Sequence, residues 1–296
     1  MNKLPLQTRV QILNMLVEGS SMRSIERVVG VSINTVTKLL MDAGKAAEAF
    51  HMETVQNVNS KRVQADEIWS FCGAKQRNVT EKNQAHGDAW TWTAIDADSK
   101  LILTWLVGSR TNESAEAFAG DLASRVSGYI QLTTDGLPSY NHAIGVAFLE
   151  SSGGVDYAQI IKKYGRSPDR GPERKYSPGV CIGAERVPMR GNPDWKHIST
   201  SHVERQNLTM RMSMRRFTRL TNAFSKKIDN HCAALALYFF HYNFCRLHKS
   251  LRVTPAMAAG VTDELLSMES LRAIMGAAVV PTKRGPYKKR AAEISN

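Results

Sequence analysis

Residues 199–227 read STSHVERQNLTMRMSMRRFTRLTNAFSKK, a stretch of 29 residues that contains no proline or glycine. Its apolar side chains recur at the spacing of one helix face, so the sequence predicts a single helix over this stretch. A second stripe of this helix carries one carboxylate followed by amide and guanidinium groups. Its members are Glu204, Asn207, Arg211, Arg215 and Thr218.

Glu204 has two interpretations at this point. Ser201 followed three residues later by Glu204 is the pattern of a capping box, in which the carboxylate only closes the start of the helix. Alternatively, Glu204 belongs to a chemical site, which requires further carboxylates on neighbouring elements. Both interpretations stay open until those carboxylates are found.

The composition indicates a globular chain with a nucleic-acid partner. The 296 residues contain 39 Lys and Arg against 27 Asp and Glu, a net charge of +12, which favours nucleic acid over a membrane surface. There is neither a long apolar run nor a signal-peptide core, so we expect no membrane partner and a cytoplasmic location. The cysteines are scattered, as in reduced proteins. Cys232, Cys245 and His248 match no common zinc-finger spacing.

The N-terminal residues 1–50 predict a small all-α domain. Three apolar-periodic runs are separated by Gly19 and Gly30, and the third is expected to begin at Ser32 and end at Gly44. Two helices joined by a short turn are typical of a DNA-binding helix-turn-helix, although a plain three-helix docking domain has the same pattern. The side chains expected to reach DNA are Asn34, Thr35, Thr37 and Lys38.

After a linker at residues 51–61, residues 62–246 predict an α/β core with a mixed sheet. A helical pattern at Asn112–Val126 precedes the fourth strand, which therefore arrives through a crossover helix. The predicted strands are Val63–Phe71, Ala89–Asp96, Leu101–Gly108 and Tyr129–Thr134.

The remaining segments are predicted from composition. Residues 151–198 are rich in glycine, proline and basic groups, so we expect an exposed, irregular insertion around one short strand, Tyr157–Lys162. Residues 247–296 predict a C-terminal helical segment followed by a basic tail. The tail residues Lys283 and Arg284 are expected to contact DNA phosphates.

Two acids stand out by their position in the predicted sheet. Asp66 lies inside the first core strand, and Asp135 ends the fourth strand. Strands one and four are commonly neighbours in this order, so the two carboxylates could share a site for Mg²⁺ or Mn²⁺. Two such ions, roughly 3.5–4 Å apart, can clamp a phosphodiester during in-line displacement. The alternatives are a buried arginine paired with Asp66 and an ordinary Asp135–Gly136 turn.

Four blocks carry a resemblance to a known family: ADEIWSF around Asp66, TTDGLPSY around Asp135, residues 199–227, and HYNFCRLHKSLRVTPAMAAG after them. Over residues 62–260 the chain resembles bacterial insertion-sequence transposases of the DDE type, closest to the insertion sequence one group. The resemblance implies a ribonuclease H-like core in which Asp66, Asp135 and Glu204 hold two Mg²⁺. It also implies nicking at transposon ends, after which the freed 3′-OH attacks target DNA.

The resemblance further implies that Asn207 and Arg211 face bound phosphates. Some members carry an N-terminal zinc finger, whereas this chain has only the helix-turn-helix pattern. Glu204 follows Asp135 by 69 residues, which is longer than in compact relatives. The expected partners are transposon end repeats, target DNA and a second copy of the chain, in the bacterial cytoplasm at the nucleoid. Two alternatives remain: a ribonuclease H-like nuclease without strand transfer, and a non-catalytic helix-turn-helix regulator.

Overall fold

A mixed six-stranded sheet forms the centre of the described part of the chain. The computed structural model describes residues 4–83, 85–149, 153–165, 179–218 and 221–277. The strand order is β3-β2-β1-β4-β5-β6, with β1, β2 and β3 antiparallel, β4 parallel to β1 and β5, and β6 antiparallel to β5. The strands are β1 (Arg62–Cys72), β2 (Gly87–Asp96), β3 (Ile102–Gly108), β4 (Ile130–Asp135), β5 (Val155–Tyr164) and β6 (Cys181–Arg190).

The helices cover both faces of this sheet. The α-helices are α1 (Leu6–Val17), α2 (Met22–Val29), α3 (Ile33–Thr54), α4 (Asn112–Arg125), α5 (Ser139–Ala147), α6 (Ser201–Ser213), α7 (Ile228–Phe240), α8 (Pro255–Ala258) and α9 (Met268–Ala277). A π-helical turn, His241–Cys245, follows α7. One face packs against α4 and α5 through Trp92, whose ring contacts those of Phe118 and Tyr140. The opposite face packs against α3 and α7 through Trp105.

The predicted fold class is confirmed. The core is mixed α/β, and β4 reaches its place beside β1 after the crossover helix α4. Three antiparallel strands followed by two parallel ones in this order make a ribonuclease H-like sheet. The chain that precedes β1 is all α, as predicted for its N-terminal region.

The turn between α2 and α3 has clear local causes. Gly30 ends α2 in the left-handed region, with φ of 71°, which glycine adopts without steric cost. Ser32 begins α3, because its hydroxyl accepts a hydrogen bond from the Asn34 amide. Glu26 adds a bond across the turn by accepting from the Ile33 amide at 3.0 Å. These contacts fix the orientation of α3 relative to α2.

The prediction that the third helix ends at Gly44 is wrong. Helix α3 continues to Thr54, and Gly44 is a packing position, because a Cβ there would lie 2.5 Å from the Cα of Ala233 in α7. Further along α3, His51 is 2% exposed and its Nε2 lies 3.0 Å from the carbonyl oxygen of Leu103. The predicted domain boundary at residue 50 and the linker at 51–61 remain predictions, and α3 runs across that boundary.

The prediction of a single helix over residues 199–227 is also wrong. Helix α6 ends at Ser213, and Met214 leaves the helical region with φ of −126° and ψ of 97°. An unbroken helix of that length would extend about 43 Å, away from the sheet. The chain instead turns back, which buries Phe217 and brings Ser225 into a bridge with the end of β1. Arg215 therefore leaves the stripe that begins at Glu204.

The insertion at residues 151–198 contains more regular structure than predicted. The short strand expected at Tyr157–Lys162 is longer, and β6 pairs antiparallel with it at the sheet edge. Most side chains of β6 are exposed, and the strand contains Gly183 and Pro188. An exposed edge strand needs no alternation of apolar and polar residues, so its sequence lacks the usual strand pattern.

The C-terminal segment packs against the N-terminal helices. Helix α9 packs against α1 and α3, and Leu271 is completely buried. The predicted basic tail, with Lys283 and Arg284, lies outside the described residues. Within the described ranges, no helix combines the length and apolar character needed to cross a bilayer.

Candidate active site

The candidate site begins where two central strands part. Ala65 of β1 pairs with Thr134 of β4, and this is the last pair of their parallel register. Asp66 and Asp135 are the next residues on each strand, so their carboxylates lie side by side at the fork. The prediction that strands one and four are neighbours is therefore confirmed.

Three carboxylates meet at this fork. Asp66, Glu67 and Asp135 each offer an oxygen atom, and these oxygens all lie within 4.8 Å of one another. Among the residues that the structure describes, these three are the His, Cys, Asp or Glu side chains that lie close enough together to bind one metal ion.

Asp66 is held by its own strand and by helix α6. Its Oδ1 accepts a hydrogen bond from the Glu67 amide at 2.9 Å, and its Oδ2 accepts one from Nδ2 of Asn207 at 2.8 Å. Burial, followed by repulsion from Asp135 and Glu67, raises the pKa of Asp66 to about 8. The carboxylate is therefore costly to ionise without a cation beside it.

Glu67 is a site residue that the sequence interpretation missed. Its register partner is Trp92, whereas that of Asp66 is Thr93, so the two acids leave opposite faces of the sheet. Arg110 donates to Oε1 of Glu67 at 2.8 Å, and the Tyr140 hydroxyl donates to Oε2 at 3.2 Å. The available signal was an acid inside a strand that is buried on both faces, where a charge needs a partner.

The charge on Glu67 is opposed by its surroundings. Burial and the neighbouring Asp135 raise the pKa of Glu67 to about 7, although the Arg110 guanidinium acts in the opposite direction. The carbon at the centre of that guanidinium lies 4.9 Å from the centroid of the Trp90 ring. Arg110 is thus placed between an aromatic face and the carboxylate.

Asp135 combines a turn contact with a place in the site. Its Oδ1 accepts a hydrogen bond from the Leu137 amide at 3.2 Å, the contact expected of an Asp–Gly turn. Burial raises the pKa of Asp135, while the Leu137 amide and the cations Arg110 and Lys162 act against that rise. The turn and site interpretations of Asp135 are therefore compatible.

Glu204 lies in the first turn of α6 and does not form the predicted capping box. The helix begins one residue earlier than that motif needs, with Thr200 in the capping position. The Glu204 carboxylate instead accepts from the Thr200 hydroxyl and from Nζ of Lys162, the latter at 2.6 Å. Its negative charge contributes to the raised pKa values of Asp66 and Asp135.

The other predicted site residues occupy two regions. On α6, Asn207 is 5% exposed and contacts Asp66, while Arg211 follows one turn later; Arg215 is exposed beyond the helix end. On α3, Asn34 and Lys38 are exposed and Thr35 is half-buried. Thr37 is turned towards α2, because its hydroxyl donates to the Ile33 carbonyl and lies 3.5 Å from Sδ of Met22.

The residues at the fork fit a hard divalent cation. Carboxylate oxygens are the ligands that Mg²⁺ and Mn²⁺ prefer, and three of these acids repel one another without such an ion. Oδ1 of Asn207 is buried beside them and has no hydrogen-bond partner among the described residues. A buried polar atom of this kind calls for a ligand or water in the functional state.

Comparisons with known proteins find likeness only among solved structures, since no protein-family model and no curated protein matches the chain. The chain is similar to a piggyBac transposase synaptic complex with hairpin DNA, with 10% identity, a TM-score of 0.44, and coverage of 92% of this chain and 70% of that one. It is also similar to a pre-cleavage Mos1 transpososome, with 10% identity, a TM-score of 0.22, and coverage of 52% of this chain and 60% of that one. For the Mos1 strand transfer complex the identity is 10%, the TM-score is 0.23, and the coverage is 80% of this chain and 78% of that one. These likenesses assign no role to any residue of this chain.

Proposed function

We propose that this chain is a DDE-type transposase of the bacterial insertion sequences, which cuts DNA at the ends of its element and joins the freed strand to target DNA. The observation that carries the proposal is the place of Asp66 and Asp135 at the fork of β1 and β4. Glu204, on the helix that packs against β1, is close enough to raise the pKa of both. An oxygen-rich centre of this kind is suited to phosphodiester chemistry.

Asp66, Asp135 and Glu204 would hold two divalent ions, Mg²⁺ or Mn²⁺. When bound, the ions would neutralise the carboxylates and stabilise the charge that develops on the attacking and leaving oxygens of the phosphodiester. The chain prepares the centre for them. Asn207 orients Asp66 through its amide, and the Leu137 backbone amide orients Asp135.

Lys162 and Glu67 complete the charge arrangement in this proposal. The Lys162 ammonium compensates Glu204, and it is near enough to Asp135 to act against the rise in the pKa of that acid. Glu67 keeps a further carboxylate oxygen beside Asp66 and Asp135, and its own position is fixed by Arg110. Glu67 therefore either ligates an ion directly or holds the other two acids in place.

DNA binding is assigned to the basic and polar residues outside the carboxylate centre. On α3, Asn34, Thr35 and Lys38 would contact the DNA ends, and Thr37 would support the turn of the helix-turn-helix. Near the centre and in the tail, phosphates would be bound by Arg211, Arg215, Lys283 and Arg284. The chain would act in the bacterial cytoplasm at the nucleoid. Because two ends must be joined, it would act as a homo-oligomer.

The proposal is tested by cleavage of DNA that carries the two ends of the element. The wild-type chain is expected to nick at the ends with Mg²⁺ or Mn²⁺ and to be inactive in EDTA. Asp135→Asn should lose about 100- to 1,000-fold in rate, the size typical of removing one principal charge-stabilising group. Asp98→Asn is the matched control, because Asp98 lies at an exposed turn and pairs only with Arg62 among the described residues. Metal-dependent nicking that survives in Asp135→Asn would refute the catalytic assignment.

The same assay separates the alternatives when a labelled target duplex is added. Transfer of the cut strand to the target supports a transposase, whereas cutting without transfer indicates a nuclease. DNA binding without metal-dependent cutting would indicate a regulator.

A further inference from the structure

The first turn of α6 carries Glu204, and its backbone amides need hydrogen-bond partners from outside the helix. A threonine in the capping position usually offers its hydroxyl oxygen to the amides of the second and third helical residues, here His202 and Val203. Thr200 occupies that position, yet its side chain accepts no bond from the helix amides. Its hydroxyl donates instead to the Glu204 carboxylate. The two amides therefore depend on another residue.

Gln64 of β1 is that residue. Its Oε1 accepts hydrogen bonds from the His202 amide at 2.7 Å and from the Val203 amide at 3.2 Å. Gln64 is 4% exposed, so these bonds form away from water. It lies two residues before Asp66 and on the same face of the strand. One short stretch of β1 thus carries Asp66 and also caps the helix that carries Glu204.

The cap supplied by Gln64 has a consequence for Thr200. Two buried amides without a partner would be costly, and the Thr200 hydroxyl is placed to turn to them, as in an ordinary cap. Because Gln64 satisfies both amides, the Thr200 hydroxyl stays with the Glu204 carboxylate. Thr200 is 4% exposed, so water competes little for that bond.

We propose that Gln64 is a positioning residue for the metal centre: it caps α6 from β1 and so frees the Thr200 hydroxyl to orient the Glu204 carboxylate. This inference rests on the proposed function, and it gives Gln64 no contact with DNA or with an ion. Removing a residue that orients a metal-binding side chain typically lowers metal affinity or activity by about 10- to 100-fold. We expect an effect of this size for Gln64.

The test compares Gln64→Met with Gln206→Met in the full-length chain. Both changes replace a buried glutamine by an apolar side chain of similar length, since Gln206 is 3% exposed. Nε2 of Gln206 donates to the Tyr238 hydroxyl at 3.3 Å, so this control disturbs α6 beyond its first turn. Titration calorimetry measures Mn²⁺ binding, and nuclear magnetic resonance measures exchange of the amide hydrogens of residues 201–204. Thermal melting checks that the variants fold.

Gln64→Met should bind Mn²⁺ about 10- to 100-fold more weakly than wild type. Its amide exchange at the start of α6 should be about 2- to 30-fold faster, the range for a lost helix cap. In the nicking assay its kcat should fall by about the same factor as the Mn²⁺ affinity, with an unchanged KM for DNA. Gln64→Glu keeps an acceptor oxygen and should restore most of each loss. Gln206→Met should match wild type in Mn²⁺ affinity.

Thr200→Val provides an independent arm, because it removes the hydroxyl that binds Glu204 and leaves the cap from Gln64 in place. It should weaken Mn²⁺ binding, and adding it to Gln64→Met should cause little further loss. Wild-type Mn²⁺ affinity in Gln64→Met, or an equal loss in Gln206→Met, would overturn the inference. If Gln64→Met does not fold, unchanged Mn²⁺ affinity in Thr200→Val would overturn it.

The two proposals fail in different ways. A wild-type chain that binds Mn²⁺ and never cuts DNA would refute the transposase, while Mn²⁺ affinity and amide exchange still decide the role of Gln64. A wild-type chain that binds no Mn²⁺, with or without DNA, would overturn both.

Discussion

Nζ of Lys162 lies 2.6 Å from Oε1 of Glu204, so one of the chain's own cations occupies the carboxylate that is proposed to hold a metal ion. Both side chains are partly exposed, at 30% and 41%. Such a pair contributes little to folding, roughly 0.2–1 kcal/mol. Its larger effect is competition, because the ammonium and a divalent ion cannot share the same oxygen.

Replacing Lys162 should therefore improve metal binding. For Lys162→Met we expect Mg²⁺ affinity to rise by up to about 5-fold, measured by titration calorimetry, since up to about 1 kcal/mol of competition is removed. Lys163→Met is the matched control, because its ammonium pairs with Glu185 on the exposed hairpin. Equal metal affinity in wild type and Lys162→Met would contradict the competition.

Stability without metal should fall as pH rises. Asp66 has a pKa of about 8 in the folded chain against about 3.9 when unfolded, and Glu67 is shifted in the same direction to about 7. Between these limits the folded state binds more protons, so the free energy of unfolding decreases from about pH 4 to about pH 8. We expect a loss on the order of 1–5 kcal/mol over this range, measured by urea unfolding in EDTA.

Two changes should reduce this pH dependence. Asp66→Asn cannot ionise, so its unfolding free energy should be flatter with pH and higher than that of wild type at pH 8. Saturating Mg²⁺ should stabilise wild type above pH 7, by about 2.7 kcal/mol at 100 times its dissociation constant, and Asp66→Asn much less. Stability of wild type that rises with pH in EDTA would show that the carboxylates are not under repulsion.

Substitution by alanine should have opposite effects on the free energy of unfolding at two helical glycines. In Gly44→Ala the new methyl group would meet the backbone of Ala233, so we expect a loss of about 1–3 kcal/mol in the free energy of unfolding. In Gly120→Ala, on exposed α4, the methyl group meets nothing within 4 Å, and a gain of about 0.5–1 kcal/mol is expected. Chemical denaturation measures both. A neutral Gly44→Ala would mean that α3 and α7 separate easily.

The salt dependence of DNA binding should locate the contacts on α3. Lys38 lies in the part of α3 proposed to meet DNA and pairs there with Asp42, whereas Lys45 is exposed two turns further along. Lys38→Ala should reduce the slope of log affinity against log salt by about 0.9, the value for one lost phosphate contact. Lys45→Ala should leave the slope unchanged. The reverse result would move the interface along the helix.

The sequence predicts those features that depend on local pattern. Alternation locates β1 to β4, and their predicted order places Asp66 beside Asp135, as in the structure. These features follow from the two-residue period of a half-buried strand and from the limited topologies that a crossover helix allows. Local pattern was sufficient because each element faces a continuous apolar core.

Other features depend on distant partners, which a single sequence does not display. Met214 breaks the helix because the following segment must return to β1, and nothing within residues 199–227 signals that destination. Gly44 looks like a helix end, yet its lack of a side chain serves contact with Ala233, which lies far away in the chain. Glu67 joins the carboxylates only where β1 and β4 separate.

The continuity of α3 has a consequence for where the DNA is cut. This helix spans 22 residues, about 33 Å, which is close to one turn of B-form DNA at 34–36 Å. Its first turn is proposed to read the DNA, while its later turns are fixed to α7 at Gly44 and to β3 at His51. If the proposed function is right, the fixed length of α3 would set the number of base pairs between the DNA sequence that is recognised and the phosphodiester bond that is cut.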